Sequence, residues 1–591
     1  MPHRSHLFSL RIAHALRESC LKVPYTPRRL AKDVGAGITV GIIAIPLAMA
    51  LAIASGVAPQ HGLYTAMIAG FVIALTGGSR YSVSGPTAAF VVILFPVAQQ
   101  FGLGGLLVAT LMAGLMLVGF AVGRLGRLIE YVPEPVTLGF TGGIAIVIAT
   151  LQVRDLFGLS LAEYPDNWLG KIAALGMALP SVDWATTLVG TATLAVLLYW
   201  PRLRLPLPGH LAALLVGVLV ALLLAQAGHP VETIGTRFSF SLADGTTGQG
   251  IPAILPEWVW PWQQPGPDGQ PIDWSLATWQ ALLSAAFSIA VLGAIESLLC
   301  AVVLDGMTGT RHSANSELLG QGIGNLVVPF FGGITATAAI ARSAANVRAG
   351  AESPVAALVH ALVVMAALLA LAGVLSYLPM ASLAALLLMV AWNMSEAPKA
   401  AAIVRKAPLG DVLVLGVCLS LTVLFDMVIA ITAGIVLAAL LFMREISHMT
   451  KVTDTTASTR LGLIRAQWLP LQDLAVFKVN GPLFFAAAER IFAELLAQLA
   501  DKRVVVLNLE AVTVLDAGGL SALSKFIDAC GKRGIKLIIA NLQFQPLRTL
   551  AKAKMGPVRE RLLFAPTLDE AIWFVQSEAA LRQGTARAST E

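Results

Sequence analysis

The feature that most constrains this chain is a long succession of apolar segments, each close to the length of a membrane span. They lie at residues 34–54, 61–77, 86–100, 102–122, 136–152, 183–200, 209–227, 278–303, 316–331, 339–350, 354–373, 376–392 and 411–443. A helix of about 20 apolar residues crosses a bilayer. Only 13% of the 591 residues are charged, against about 25% in a typical soluble domain. The sequence therefore predicts an α-helical polytopic membrane protein and excludes a large soluble one.

The number of spans depends on the last run, 411–443, which is too long for one span and short for two. We interpret it as two shortened helices that turn at Phe425-Asp426. Asp426 is then a turn residue at the outer surface and not an ion ligand. This interpretation gives fourteen transmembrane segments, seven on each side of a polar loop at 228–277.

The charge of the loops predicts the orientation, because cytoplasmic loops carry an excess of Lys and Arg. With the N-terminus inside, the inner loops hold ten basic residues: Arg80, Arg124, Arg127, Arg202, Arg204, Arg311, Lys399, Arg405, Lys406 and Arg444. The outer loops hold Arg154, Lys171 and Arg237. We expect a multi-pass protein of the bacterial inner membrane with both termini in the cytoplasm. The basic segment 1–32 is predicted to be cytoplasmic and not a cleaved signal, because its apolar run continues as a full span.

The C-terminal part has a different character. After the transmembrane domain, 33–446, we expect a polar linker at 447–470, a soluble α/β domain at 471–578 and a polar tail at 579–591. Strand-like runs at 474–479, 504–509 and 535–540 alternate with amphipathic stretches near 487–500 and 518–531. Alternating strands and helices favour a small domain with a mixed sheet.

Two of the apolar segments are interrupted, at residues 82–89 and 332–343. Each reads as extended chain followed by a helix, and Pro86 suits the first turn of the first helix. Each is the third segment of its half, which indicates an inverted repeat with a binding site near the membrane midplane. A helix that begins inside the membrane presents free N–H groups and about half a positive charge. Two facing helix ends would bind an anion, although kinked helices packing on small residues remain the alternative.

We therefore predict that substrate contacts come from both breaks. The residues are Ser84, Gly85, Pro86 and Thr87 in the first break and Ala339, Ile340, Ala341, Arg342 and Ser343 in the second. Arg342 adds a full positive charge, which at bilayer depth must face a polar cavity or a partner. A structural ion pair with Glu296 is the alternative role of Arg342.

Glu296 lies deep in an otherwise apolar helix, and we predict that it takes up a coupling proton. A permanently ionised counter-charge for Arg342 is the other possibility. No metal ligands with the required spacing and no nucleophile motif occur in the spans, and the four cysteines form no CxxC pair. The sequence therefore predicts no enzyme, no metal and no cofactor. We interpret His360 as a packed polar residue.

Several of these motifs resemble the SulP anion transporter family, whose members carry a C-terminal STAS domain. The resemblance rests on 59–66 (PQHGLYTA), 84–87 (SGPT), 342–347 (RSAANV) and the loop 515–520 (LDAGGL). It implies a seven-plus-seven inverted repeat with core and gate domains, a homodimer and an elevator-like movement. Within the family, the apolar stretches are most similar to a bacterial carrier of C4-dicarboxylates. This similarity implies proton-coupled uptake of succinate, fumarate or aspartate.

Other members of the family carry sulfate, bicarbonate, chloride or oxalate, so a sulfate or bicarbonate carrier and an exchanger or channel for anions remain open. The chain also departs from the family. Leu47 follows Pro46 where many members have Gln, and Cys300 replaces a Thr of the sodium-coupled members, which argues for a proton. Gly518 stands where phosphorylated STAS domains have serine. We expect this domain to dock a cytosolic protein or to act in assembly, and we expect no binding of nucleic acid.

Overall fold

The computed structural model describes residues 10–126, 132–161, 165, 167–203, 208–241, 247–425, 427–463, 473–499, 501–558 and 561–588. The chain divides into two compact units, Met1–Ile435 and Val436–Glu591. The predicted turn residue Asp426 lies outside the described residues, as do Arg127 and Arg204.

The first half of the membrane unit is a series of helices interrupted by one short strand. The helices are α1 His14–Leu16, α2 Pro27–Ala54, α3 Pro59–Tyr64, α4 Gly70–Thr76, α5 Ala88–Val122, α6 Glu134–Phe157, α7 Trp168–Ala178, α8 Trp184–Leu203 and α9 Gly209–Gln226, and the strand is β1 Ser84–Gly85. Wider π-helical turns at Arg17–Leu21 and Thr65–Ala69 and a 3₁₀ turn at Leu179–Ser181 connect some of them. Thr26 caps α2 by accepting a bond from the backbone of Arg29, so this helix begins inside the segment 1–32 that we predicted to precede the membrane domain.

The loop between the halves contains small elements only. They are α10 Ile234–Arg237, β2 Ser239–Ser241, β3 Thr247–Gln249 and 3₁₀ turns at Pro261–Gln263 and Pro267–Gly269. Part of the loop packs on α5 at Gly102, whose backbone leaves the helical conformation at φ 64° and ψ −165°. A Cβ at Gly102 would lie 2.4 Å from the backbone of Gly266. The break predicted between segments 86–100 and 102–122 is therefore present, because α5 consists of two helical stretches that meet at Gly102.

The second half repeats the pattern of the first. Its elements are α11 Leu276–Thr308, α12 Ala314–Val327, a 3₁₀ turn Val328–Phe331, β4 Thr337–Ala338, α13 Ile340–Arg348, α14 Val355–Leu375, α15 Met380–Ser395, α16 Ala397–Lys406, α17 Leu409–Leu424 and α18 Met427–Met449. The last apolar run is therefore two helices that separate beside Phe425, as predicted.

Eight helices of the described part are long and apolar enough to cross a membrane singly, and the bent pair Trp168–Ser181 and Trp184–Leu203 would make a ninth. The other predicted segments are short or broken helices. The helices form two groups. In one, α5 packs on α11 and α12, and α2 packs on α14; in the other, α6 packs on α15 and α17, and α8 packs on α9 and α15. The predicted helical membrane fold is confirmed, and the two groups correspond to the expected core and gate.

The second unit is an α/β domain around a five-stranded sheet. Its strands are β5 Lys451–Asp454, β6 Leu474–Asn480, β7 Val504–Ala511, β8 Lys536–Ala540 and β9 Leu562–Ala565, in the spatial order of the chain. β5 is antiparallel to β6, and the other pairs are parallel, which confirms a mixed sheet. The helices are α19 Thr456–Leu463, α20 Phe485–Ala497, α21 Ala517–Lys532, α22 Phe544–Lys552 and α23 Leu568–Ala588.

Two details differ from the expected linker and tail. The range 447–470 contains β5, which pairs with β6 at the edge of the sheet. This strand is polar (KVTD), because only one of its long edges is paired and most of its side chains remain exposed. The tail also differs, since α23 continues to Ala588, beyond residue 578 where we expected the domain to end.

Candidate functional site

The two interrupted segments meet in the structure. β1 and β4 pair antiparallel, with Ser84 opposite Ala338 and Gly85 opposite Thr337. Each strand is followed within three residues by a helix, α5 after β1 and α13 after β4. Because the strands are antiparallel, α5 and α13 leave the pair at its opposite ends, so both helix N-termini lie beside the same two-residue strand pair. The pairing joins residues more than 250 positions apart and places both predicted breaks at one point.

Neither helix N-terminus is capped by its own side chain. Thr87 and Ala339 occupy the two N-cap positions, and neither accepts a bond from the first turn of its helix. The first N–H groups of α5 and α13 therefore lack the side-chain acceptors that usually satisfy them. Ile340 and Ala341, at the start of α13, are exposed. The start of α13 is thus accessible, whereas Thr87 and Ala88 at the start of α5 are buried. Both ends contribute a positive potential.

The hydroxyl group of Thr87 contacts another helix. The hydroxyl donates to Oε2 of Glu296 on α11 at 2.9 Å. Glu296 is half-buried, in the middle of a helix whose neighbouring positions are mostly buried and apolar. The carboxyl group therefore lies beside the start of α5, within reach of anything bound between the two helix ends. The predicted coupling residue and the predicted substrate-contact residue are in direct contact.

Arg342 is buried behind the extended segment of the other half. Its side chain is 2% exposed, and its Nη2 donates to the carbonyl oxygen of Pro86 at 2.7 Å. A Cβ at Gly85 would lie 2.8 Å from Nη1, so the guanidinium occupies the space that a side chain there would need. Arg342 makes no ion pair with Glu296 within 4.0 Å among the described residues. The alternative of a direct structural salt bridge between these two residues is therefore wrong.

The two predicted serines form part of the frame of the site. Ser343 accepts a bond from the backbone N–H of Val83 at 2.9 Å, and Ser84 accepts one from Nε2 of Gln321 at 3.0 Å. Both serines are buried. Their side chains hold the extended segments in place. The backbone N–H of Ser343 donates to the carbonyl of Ala339 and Ser84 lies in the strand pair, so both serines have a structural role.

One face of α12 carries polar side chains that bind the extended segments, and the sequence-based prediction missed them. Asn325 donates to the carbonyl of Ala336 and accepts from its N–H, both at 2.8 Å, which supplies a side-chain partner to the extended chain before β4. Glu317 accepts from the backbone N–H groups of Gly78 and Ser79 at 2.9 and 2.8 Å. With Gln321, these residues recur every fourth position, so they share one helix face. The sequence signal that could have identified them is the occurrence of three amide or acid side chains at this spacing in an apolar segment.

The far end of α13 is fixed to α2 outside the spanning segments. Glu352, in the connection to α14, forms ion pairs with Arg29 at 2.9 Å and Lys32 at 2.5 Å. Its backbone N–H and that of Ser353 donate to the buried carboxylate of Asp33. The hydrogen bond from Lys32, and then that from Arg29, lowers the pKa of Glu352. These contacts hold the short helix that carries Arg342.

Comparison with known proteins decides the family. The family model described as the sulfate permease family matches residues 30–418, and the STAS domain model matches residues 470–571. The chain belongs to the sulfate permease family. The putative sulfate transporter YvdB of Bacillus subtilis is 38% identical over 529 residues, which cover 89% of this chain and 94% of that protein. The bicarbonate transporter BicA of Picosynechococcus is 27% identical over 545 residues, 89% and 91% of the two chains.

Solved structures with the same fold come from this family. The anion transporter solute carrier 26 family member A9 of mouse, in its inward-facing state, matches with a TM-score of 0.80 at 17% identity over 96% of this chain and 94% of that one. The transmembrane domain of a cyanobacterial BicA matches with a TM-score of 0.57 at 26% identity over 70% of this chain and 98% of that one. This member of the sulfate permease family is therefore a multi-pass integral membrane protein and an anion transporter with a C-terminal STAS domain, not an enzyme.

Proposed function

We propose that this protein is a secondary active transporter that binds a small divalent anion between the N-termini of α5 and α13 and couples its uptake to a proton. The observation that carries the proposal is the antiparallel β1–β4 pair, which holds two helix ends together without side-chain caps. Free N–H groups at such an end bind anions by hydrogen bonding and by the helix dipole. Two ends at one point double that effect.

The role of Arg342 in this proposal follows from its burial. At 2% exposure, the guanidinium acts on the anion through its field across the thin extended segment at Gly85. Such a field is stronger than in bulk water because the effective dielectric constant of a protein interior is lower. The positive potential of the site then comes from backbone and one buried cation, which leaves the surface that meets the anion small and uncharged. A site of this kind can release its substrate after each crossing.

We assign the coupling proton to Glu296. Its carboxyl group accepts from Thr87 beside the helix end, so a negative charge on it would oppose binding of an anion, and a proton on it would remove that opposition. Binding of anion and proton are then linked, as symport requires. The separate core and gate groups of helices suit an elevator movement in which α5, α11 and α13 carry the site as one body.

Two substrate classes follow from different observations. Our first substrate hypothesis is C4-dicarboxylates (succinate, fumarate or aspartate), from the resemblance of the apolar stretches. Sulfate is the second, favoured by the names of the relative in Bacillus subtilis and of the bovine sodium-independent sulfate anion transporter, which is 25% identical over 575 residues. The BicA relatives add bicarbonate, which carries a single negative charge, as the alternative to a divalent substrate in the same assay.

Uptake into proteoliposomes tests the proposal. The full-length protein is reconstituted, and initial uptake of labelled succinate, sulfate and bicarbonate is measured under imposed pH and sodium gradients. We expect one dianion to accumulate against its gradient when the outside is acidic, with no effect of sodium. Passive flux that ignores the pH gradient would overturn the coupled mechanism in favour of a channel, and competition by the unlabelled anions ranks the substrates.

Replacement of the carboxyl group tests the coupling. Glu296→Gln should still bind and exchange anions, since the amide keeps the bond with Thr87, but it should no longer accumulate them on a pH gradient. Glu257→Gln, which changes an exposed carboxylate in the loop between the halves, is the matched control and should behave as wild type. Retention of proton-driven accumulation by Glu296→Gln would remove the coupling role.

The same proposal includes the parts of the architecture that lie outside the site. We propose a homodimer in the bacterial inner membrane with both termini in the cytoplasm, a membrane domain at about 33–446 and a STAS domain at about 471–578. The STAS domain would dock a cytosolic protein or act in assembly. Gly518 supports this assignment, because a Cβ there would lie 2.6 Å from Cβ of Phe485, and the loop therefore has no room for a phosphorylatable serine in its present form.

A further inference from the structure

Buried polar atoms without hydrogen-bond partners are concentrated in one place. Among the described residues, eight side-chain nitrogen and oxygen atoms are buried and unpartnered. Seven of them belong to five side chains: Ser82, Gln321, Arg342, Asn346 and His360. Proteins leave few such atoms, and each one that occurs requires an explanation.

These five side chains surround the extended segment 82–85. Ser82 is part of it. Gln321 donates to the hydroxyl of Ser84 at 3.0 Å and keeps its own Oε1 unpaired. Asn346 donates to the carbonyl of Tyr81, the residue before the segment, at 3.1 Å and keeps its Oδ1 unpaired.

The two remaining side chains carry four of the seven atoms. Arg342 lies against Gly85 and leaves Nε and Nη1 without partners. His360, on α14, is 0% exposed and leaves both ring nitrogens without partners. Its ring is close to the segment, because a Cβ at Gly70 would lie 3.8 Å from Nδ1 of His360 and 3.1 Å from the carbonyl oxygen of Ser84.

The chemistry of the seven atoms identifies what would satisfy them. The guanidinium nitrogens can only donate, the two amide oxygens can only accept, and the hydroxyl and the imidazole do both. An anion would pair with the donors and leave the acceptors unsatisfied. Water pairs with both kinds, and buried water typically makes about three bonds to polar groups of this sort.

We infer that a cluster of internal water molecules surrounds the segment 82–85 and that His360, through this water, positions the guanidinium of Arg342. The water would solvate a charge that is otherwise too costly inside a membrane. It would also keep the guanidinium oriented toward Gly85 and the two helix ends. His360 is then a positioning residue that never touches the anion. This role goes beyond the proposed function and stands whichever anion is carried.

Two variants of the full-length protein test the inference. His360→Gln keeps one donor and one acceptor group, whereas His360→Leu has a similar volume and neither. In thermal unfolding we expect the Leu variant to melt below wild type and the Gln variant to melt close to it. In uptake assays with labelled succinate or sulfate, the Leu variant should raise KM at least tenfold with little change in the maximal rate, because the guanidinium would lose the water that orients it. The Gln variant should restore KM to within about twofold.

Thermal unfolding of the Leu variant can also contradict the inference. If the segment is dry, removal of two unpartnered nitrogens stabilises the protein, so a Leu variant that melts at or above the wild-type temperature overturns the inference. If the Leu variant does not fold, radiolytic hydroxyl-radical labelling of the wild type decides. Internal water would allow oxidation of His360 despite its burial, while Phe90, equally buried in apolar surroundings, would remain unlabelled. Absence of label on both residues would contradict the inference.

Discussion

The substitution Gly85→Ala tests the contact between the two halves of the site. The added Cβ would lie 2.8 Å from Nη1 and 3.3 Å from Nη2 of Arg342, and 3.4 Å from Cα of Ala66. Ordinary van der Waals contact begins near 3.4 Å. The backbone on the other side allows little movement, so the guanidinium must retreat by about 0.6 Å.

This movement of the guanidinium would lengthen a hydrogen bond that is short and charge-assisted. The Nη2 atom donates to Pro86 at 2.7 Å, and a movement of this size away from the carbonyl would stretch the bond beyond its favourable range. Loss of a hydrogen bond to a charged group costs about 1.5–3 kcal/mol. If that energy is lost from the binding-competent arrangement, anion affinity falls by roughly ten- to a hundredfold, since about 1.4 kcal/mol corresponds to a factor of ten.

The assay combines binding and unfolding on purified full-length protein. Gly85→Ala should raise the apparent Kd for the transported anion by this factor and lower the melting temperature. The control is Gly119→Ala in α5, where an added Cβ meets nothing within 4 Å and the change should be neutral or slightly stabilising. If Gly85→Ala binds and melts like wild type, the guanidinium is not held against the segment as described.

Three further substitutions test other contacts. Thr87→Val should reduce initial uptake at least tenfold, since it removes the hydroxyl that donates to the buried carboxyl group, and Thr87→Ser should retain uptake. For Glu352 the folded-state pKa is lowered from 4.5, so its stabilising effect is present above about pH 4.5 and lost below it. The melting difference between wild type and Glu352→Gln should shrink accordingly and also fade in 1 M salt; a difference that is constant from pH 7 to 4 would contradict this assignment. Gly518→Ser should lower the melting temperature of the STAS domain through contact with Phe485, whereas unchanged melting would show that the loop can accept the side chain.

Much of the membrane architecture followed from the sequence because hydropathy and Gly-Pro punctuation are local signals. The break at Gly85-Pro86 is an example, because a proline after an extended residue marks the approach to a helix without knowledge of the fold. The helix itself begins at Ala88, so Pro86 precedes the N-cap Thr87 and does not lie in the first turn as predicted. The boundary between the predicted segments 86–100 and 102–122 was also placed correctly, since the backbone leaves the helical conformation at Gly102. The strand β5 was missed because a polar edge strand lacks the alternation that marks a half-buried one.

The contacts within the site could not be read from the sequence in the same way. The bond between Thr87 and Glu296 joins residues 209 positions apart and exists only once the two halves have packed. The same is true of Arg342, whose predicted partner was a carboxylate and whose observed partner is the carbonyl of Pro86. The charge pattern of a sequence indicates the sign of the ligand charge that a site attracts, whereas packing determines which oxygen atom a guanidinium contacts.

His360 illustrates the limit most clearly. A single histidine in an apolar helix reads as a packed polar residue, and the structure does bury it completely. The sequence does not show that both ring nitrogens lack a hydrogen-bond partner. It also does not show that the ring lies beside the extended segment of the other half. Those facts depend on α14 packing against α2 and the short helices before β1.

The measurement that tests the central claim most directly is a structure of the full-length protein in lipid nanodiscs at a saturating concentration of its transported anion. Selenate, a heavier analogue of sulfate, would mark the position if sulfate is the substrate. We predict density between the first turns of α5 and α13, near Thr87 and Ile340. Density at any other place, or two segments that run unbroken through the membrane, would contradict the anion site proposed between these helix ends.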